Sequence, residues 1–197
     1  MNGPMAFHQT HALLAIASGR SSHNVSIYQF SAAETDVSQP VQVLIGHNRS
    51  VTAISFCKGG SQERIRIATG DEEGTIMIWL MGYDECVHTF NSPFAFSYFS
   101  RNMVSSIDWL DGDTLATTHH DNHVNVIKCI GGVVLGVQSF KPMITEVQCI
   151  KFHPNGRFFA TCSASPGLVK LWDSSSFECK FTFACRSSAF SMQFNAL

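Results

Sequence analysis

One pattern recurs four times along this chain, and it dictates the fold class before any single residue is weighed. The segments NVSIYQF (24–30), TIMIWLM (75–81), HVNVIKC (123–129) and LVKLWDS (168–174) alternate apolar and other residues, as a strand with one buried face does. Tyr28, Trp79, Ile127 and Trp172 occupy matching positions in them, 51, 48 and 45 residues apart. A second series keeps the same phase: VTAISF (51–56), VSSIDW (104–109), VQCIKF (147–152) and AFSMQF (189–194) each end in an aromatic residue, and Phe7 closes a shortened earlier copy. A third series places Ala17, Ala68, Ala116 and Ala160 inside LLAIASG, IRIATGD, TLATTHH and FFATCSA. Three markers in register over units of this length mean stacked supersecondary units.

Each unit is expected to hold four short strands: an apolar run ending in an aromatic, a small-residue strand, a tight turn, a strand carrying the Trp position, and an outer strand such as CVHTF or CKFTF. Cys86 and Cys179 each lie seven residues beyond a Trp, and Phe90 and Phe183 follow four residues later. Small residues in the second strand let neighbouring sheets approach closely. The fold class is therefore all-β, with one small sheet per repeat.

Composition narrows the setting. The chain is 197 residues long, 45% hydrophobic and 14% charged, with a formal charge of -2, so it builds a real core and carries no electrostatic footprint for a phosphate backbone. Direct nucleic-acid binding and membrane insertion are not expected, since no apolar run reaches membrane-spanning length. The opening MNGPMAFHQTH lacks the charged and apolar regions of a secretory leader. Seven cysteines, an odd number without a C-x-x-C pair, fit free thiols in a reducing compartment. The expected location is nucleus or cytoplasm.

The repeats resemble those of the WD40 family. Gly46-His47 before VTAISF matches the family's GH, Trp172-Asp173 matches its WD, and HPNGRFFATCSA (153–164) is similar to its hairpin into the second strand. The resemblance covers nearly the whole chain and implies a β-propeller of four-stranded blades. Residues 1–197 then form one propeller segment with blades at approximately 5–45, 46–90, 103–140 and 146–183, and the first strand of a fifth over 187–197. Such a partial ring is expected to be completed by further chain or by a partner, because two blade faces are otherwise left uncovered.

The family resemblance also implies a buried hydrogen-bonded network of His, Ser/Thr, turn acid and Trp within a blade. In the second repeat the matching residues are His47, Thr69, Glu73 and Trp79, with Glu in place of Asp; the third repeat offers Asp121 but neither His nor Trp. At most one such network is expected, with more reliance on apolar packing elsewhere. Within the superfamily, VSSIDWLDGDTLATTHHDNHVNVIKC and EVQCIKFHPNGRFFATCSASPGLVKLWD are most similar to repeats of the transducin β-like corepressor subunits and the WD40 subunit of the THO messenger-RNA export complex.

Two surfaces are candidates for partner binding. The connection from Phe90 to Val104 is longer than its counterparts and carries Phe94, Phe96, Tyr98 and Phe99, whose alternation can present one aromatic edge. The residues flanking the start of each inner strand form the other: Ser50 and Thr52, Met103 and Ser105, Glu146 and Gln148, Ser188 and Phe190. Small, polar and mixed in charge, they suit a peptide or protein.

THHDNH (118–123) is the densest polar cluster, and His119, His120, Asp121 and His123 raise the question of a metal site. The segment falls on a tight turn between second and third strands, so a solvated turn is the favoured reading. No G-x-S-x-G, phosphate loop or H-E-x-x-H motif occurs. The expected function is thus a non-catalytic scaffold, without cofactor, that binds other proteins or peptides within a larger complex, with nuclear gene expression as one setting. The alternatives are a vesicle-coat or cytoskeletal propeller subunit, and a metal-dependent enzyme on a propeller frame.

Overall fold

The computed structural model describes residues 3–8, 10–17, 23–30, 39–58, 65–91, 102–130, 133–143 and 145–194. Among these residues sixteen strands form four antiparallel sheets of four, each a simple meander. The first blade is β1 (Met5–Phe7), β2 (Leu13–Ala17), β3 (Asn24–Gln29) and β4 (Gln42–Ile45). The second is β5 (Val51–Phe56), β6 (Arg66–Asp71), β7 (Thr75–Leu80) and β8 (Cys86–Asn91). The third comprises β9 (Val104–Trp109), β10 (Thr114–His119), β11 (Val124–Ile130) and β12 (Val133–Phe140). The fourth comprises β13 (Val147–Phe152), β14 (Phe158–Ser163), β15 (Leu168–Asp173) and β16 (Cys179–Ala184). Among the described residues no helix is long and apolar enough to cross a membrane.

Ladder pairing sets the phase of the repeat. Tyr28, Trp79, Ile127 and Trp172 face Leu14, Ile67, Leu115 and Phe159. From the other side, Phe7, Phe56, Trp109 and Phe152 face the same four residues. The alanine series needs one correction. Ala68, Ala116 and Ala160 pair with Ile78, Val126 and Leu171, and the blade-one residue in that position is Ala15, opposite Ile27, rather than Ala17. Residues two apart in a strand point to the same side, so alternation alone accepts either.

The core lies between blades. The inner strands β1, β5, β9 and β13 are successive neighbours, and β2, β6 and β10 each touch the inner strand of the next blade. Three apolar clusters fill the three seams. Ala15, Ile27 and Leu44 meet Phe56, Ile67 and Trp79 in the first; Ala68 and Ile78 meet Ile107, Trp109 and Leu115 in the second; Ala116 and Val124 meet Ile150, Phe159 and Trp172 in the third. A Cβ at Gly70 would stand 2.6 Å from a methyl carbon of Val104, so the second seam closes only because that residue is glycine.

The outward faces of the first and last blades keep the same alternation, and among the described residues nothing covers them. On blade one, Met5, Phe7, Val43 and Ile45 are exposed, while their neighbours Ala6 and Leu44 pack inward. On blade four, Phe181 and Phe183 are exposed and stack on each other at 6.2 Å. Phe183 is the counterpart of Phe90, which blade three partly buries. The tail, residues 185–194, runs past β13 without joining a ladder. It keeps the phase expected of a fifth inner strand, since Phe194 meets His153 at 5.0 Å much as Phe56 meets His8 at 5.3 Å. No second strand of a fifth blade lies beside it among the described residues.

Residues 1–197 expressed alone are therefore expected to self-associate through these two faces. Light scattering after size exclusion checks this at micromolar concentration. A soluble monomer with one sharp cooperative melt would contradict it.

Candidate functional site

Blade two contains one continuous polar chain inside its apolar wall. Trp79 Nε1–H donates to Thr69 Oγ1 at 2.8 Å, and Thr69 lies 2.7 Å from His47 Nε2. His47 Nδ1 stands 2.9 Å from Asp71 Oδ2. A carboxylate only accepts, so His47 Nδ1–H is the donor of that bond. Asp71 Oδ1 closes the turn by accepting the Glu73 and Thr75 amides, both at 2.9 Å. Burial alone would raise the Asp71 carboxyl, but the bonds from His47 and from those amides outweigh it and hold the group below its ordinary value.

The turn acid is thus Asp71, and Glu73 is displaced from the role the sequence suggested. Asp71 ends β6 and points inward. Glu73 lies beyond the strand, exposed, and pairs with Arg49 at 2.6 Å.

The same two-residue shift recurs in blade three. His119, not Asp121, occupies the place of Asp71, and it is fully buried at the end of β10 rather than part of a solvated turn. Its Nε2 is 2.9 Å from Thr117 Oγ1 and 3.1 Å from the Asn125 amide nitrogen, which can only donate. Ser139 in turn donates to Asn125 Oδ1 at 2.5 Å. His119 Nε2 is therefore an acceptor and the ring is neutral, its Nδ1–H facing the Asn102 carbonyl at 3.4 Å. Burial lowers its pKa to about 4 from an ordinary 6.5. Asp121 is partly exposed. It accepts the His123 amide at 3.0 Å, sits 3.0 Å from His123 Nδ1, and is reached at 3.2 Å by the correctly oriented Asn102 amide. Among the described residues no three His, Cys, Asp or Glu side chains converge as a metal ion would need.

A pH dependence follows from His119. Between about 4 and 6.5 the unfolded histidine holds a proton that the folded one refuses, so stability rises with pH across that window and is lost on acidification. Going from pH 7 to pH 5 is expected to cost roughly 2 kcal/mol from this residue. Asp71 adds loss in the same direction below its ordinary 3.8. Urea midpoints at the two pH values check this, and His119→Gln should flatten the difference; an unchanged difference would refute the assignment.

In blade four Trp172 Nε1–H donates to Thr161 Oγ1 at 2.9 Å, but Ser163 stands where Asp71 does and bonds the Pro166 carbonyl at 2.7 Å. Asp173, at the end of β15, caps a turn: its Oδ1 accepts the Ser175 hydroxyl at 2.6 Å and the Ser175 and Ser176 amides. The Ser175 hydroxyl contributes most to holding this carboxyl well below the usual range.

At the starts of the inner strands, hydroxyls stitch one blade to the next. Thr52 donates to the Val104 carbonyl at 2.7 Å and Ser105 to the Val147 carbonyl at 2.6 Å. Ser50 is buried beside them. Of the remaining rim residues, Met103 and Gln148 are half-buried, Glu146 pairs with His120 at 2.7 Å, and Ser188 and Phe190 are exposed. Phe94, Phe96, Tyr98 and Phe99 lie outside the described residues.

Two segments, 38–79 and 138–173, match the family model described as WD domain, G-beta repeat. The chain carries WD40 repeats. The matched segments end on β7 and β15, the strands that carry Trp79 and Trp172. No curated protein matches the chain at a significant level. WD40 repeats are protein-interaction scaffolds, and the family is generally non-catalytic.

One polar cluster of this WD40 chain was not foreseen from sequence. Asp108, buried on β9, accepts Lys58 Nζ at 2.5 Å, the Phe152 amide at 2.7 Å and Lys151 Nζ at 3.4 Å, so one carboxylate ties blades two, three and four. A signal was present: at this inner-strand position blade three has Asp108 and blade four Lys151, opposite charges in place of Ser55.

Proposed function

We propose that this WD40 chain is a non-catalytic scaffold that holds partner proteins together within a multi-subunit complex, in the nucleus or cytoplasm, with nuclear gene expression as its setting. The observation that carries this reading is the stitched rim. Thr52 and Ser105 lock adjacent inner strands together, and a rigid arc of backbone then presents Met103 and Glu146 with little ordering left to do on binding, while Ser188 and Phe190 follow on the tail. Those side chains offer one acid, one hydroxyl and two apolar anchors, a chemistry suited to a peptide or protein surface rather than to phosphate. The likeness of the third and fourth repeats to nuclear gene-expression proteins supports the setting, and the aromatic connection with Phe94, Phe96, Tyr98 and Phe99 supplies a second contact region.

Proximity labelling in the native cell tests the reading. A rim variant combining Glu146→Lys with Phe190→Ser, and a second variant replacing Phe94, Phe96 and Tyr98 by Ser, should lose labelled neighbours several-fold while melting as the parent does. Truncated interface aromatics typically cost on the order of 2 kcal/mol or more when they fill a pocket. Neighbours unchanged in both variants would refute these surfaces. A neighbour set drawn from vesicle coats or the cytoskeleton would refute the setting.

A further inference from the structure

Cys149 and Cys162 face each other across the β13–β14 ladder. Directly opposed residues in antiparallel strands hold their Cα atoms about 4.5–5.5 Å apart, inside the window of about 4.4–6.8 Å that a disulfide requires. The same rung is Ala53–Gly70 in blade two and Ser106–Thr118 in blade three, small residues in each case. Beside each of these rungs the register shifts, between Val51 and Ala53, Thr118 and His119, and Val147 and Cys149. The irregularity belongs to the repeat, and such bulges re-aim a side chain. Blade four fills the rung with two thiols.

Their surroundings make the two sulfurs unequal. Cys162, across the rung, is the largest influence on Cys149 and lowers its pKa. Burial opposes this, and Lys151, the Ser106 hydroxyl and the Met192 amide reinforce it. Ser106 Oγ donates to Cys149 Sγ at 3.8 Å from across the seam. The outcome is a Cys149 thiol below its ordinary value and a Cys162 thiol above it. Burial without such donors does the reverse in this protein, pushing the Cys57 thiol up to about 11. Cys149 is 6% exposed and Cys162 fully buried. The tail, residues 185–194, passes over this end of the blade without a ladder of its own. It runs so close that a methyl group added at Gly167 would collide with the Ser187 carbonyl.

We propose that Cys149 and Cys162 form a hydroperoxide-responsive dithiol, with Cys149 as the attacking sulfur and Cys162 as the resolving one. The Cys149 thiolate attacks the terminal peroxide oxygen, the O–O bond breaks, and the departing alkoxide or hydroxide takes a proton to leave as alcohol or water. Cys149 is then a sulfenic acid. The Cys162 thiol attacks that sulfur, the S–O bond breaks, and water leaves as the disulfide forms. Two thiols lose two electrons in total and one peroxide bond gains them. The pair is distinct from the rim and independent of the scaffold reading.

The purified full chain, treated with hydrogen peroxide under native conditions and then alkylated in denaturant, tests this by peptide mapping. A Cys149–Cys162 disulfide is expected to form before the exposed Cys179 and Cys185 are consumed. Cys162→Ala should arrest the reaction at a sulfenic acid on Cys149 that a cyclic diketone captures, and Ser106→Ala should slow disulfide formation several-fold. In the parent chain, iodoacetamide labelling of Cys149 should persist at pH values below the ordinary thiol range of about 8.5. Oxidation of Cys179 and Cys185 first, with Cys149 reduced until denaturant is added, would overturn the proposal, as would a disulfide from Cys149 to any other cysteine. Should Cys162→Ala fail to fold, the parent map and its labelling profile decide alone.

Discussion

Trp172→Ala is expected to lower stability by about 3–5 kcal/mol, the usual cost of deleting a large buried aromatic. The ring is the hub of the third seam. It stacks on Phe159 at 6.1 Å with an interplanar angle of 12°, meets Phe140 of the preceding blade edge-on at 5.7 Å, and is only 6% exposed. Its indole N–H also satisfies Thr161, which is fully buried. Removing the ring empties the space between blades three and four and leaves that hydroxyl without its donor. Trp172→Phe separates the two contributions: it keeps most of the packing and loses only the bond, for about 1–3 kcal/mol. Urea unfolding measures both, and any loss of partner binding should track unfolding. A cost below about 1 kcal/mol for the alanine variant would mean that the seam re-packs around the void.

Asp71→Ala is expected to cost about 3–5 kcal/mol, because removing one partner of a buried pair leaves the other unsatisfied. His47 would lose its carboxylate while remaining buried, and the amides of Glu73 and Thr75 would lose their shared acceptor at the turn. Glu73→Ala, two residues away, should change stability by no more than about 0.5 kcal/mol, since exposed ion pairs such as Arg49–Glu73 contribute little. The pair of variants is a direct test of which acid belongs to the network. Equal effects, or the larger effect at Glu73, would restore the assignment drawn from the sequence.

That assignment failed for an identifiable reason. Residues 71 and 73 share the parity of a strand, and so do 119 and 121. What separates them is where the strand ends. β6 stops at Asp71 and β10 at His119, so the inward-pointing end position falls there, and the next residue of equal parity is already in the turn. His119 shows the consequence most clearly. In sequence it belongs to a polar run that reads as a wet turn; in the fold it is a neutral, buried acceptor held by Thr117 and Asn125. Asp108 escaped notice because its partners, Lys58 and Lys151, are 50 and 43 residues away and belong to other blades.

The sequence by itself determined the fold class, the four-strand repeat, the phase of its Trp and aromatic markers and the WD40 kinship, because each depends on local alternation and on spacing within one unit. Single-blade bonds such as Trp79–Thr69–His47 were legible only through the resemblance to WD40 repeats. Tertiary structure alone decided everything that passes between units. The Thr52 and Ser105 stitches reach carbonyls 52 and 42 residues away, and Gly70 is required by Val104 of the next blade. The Cys149–Cys162 rung, set within one blade, meets a hydroxyl from blade three, Ser106, only where the two blades pack together. Periodicity says which side of a strand a residue points to; only the packing of one blade on another says what it meets there.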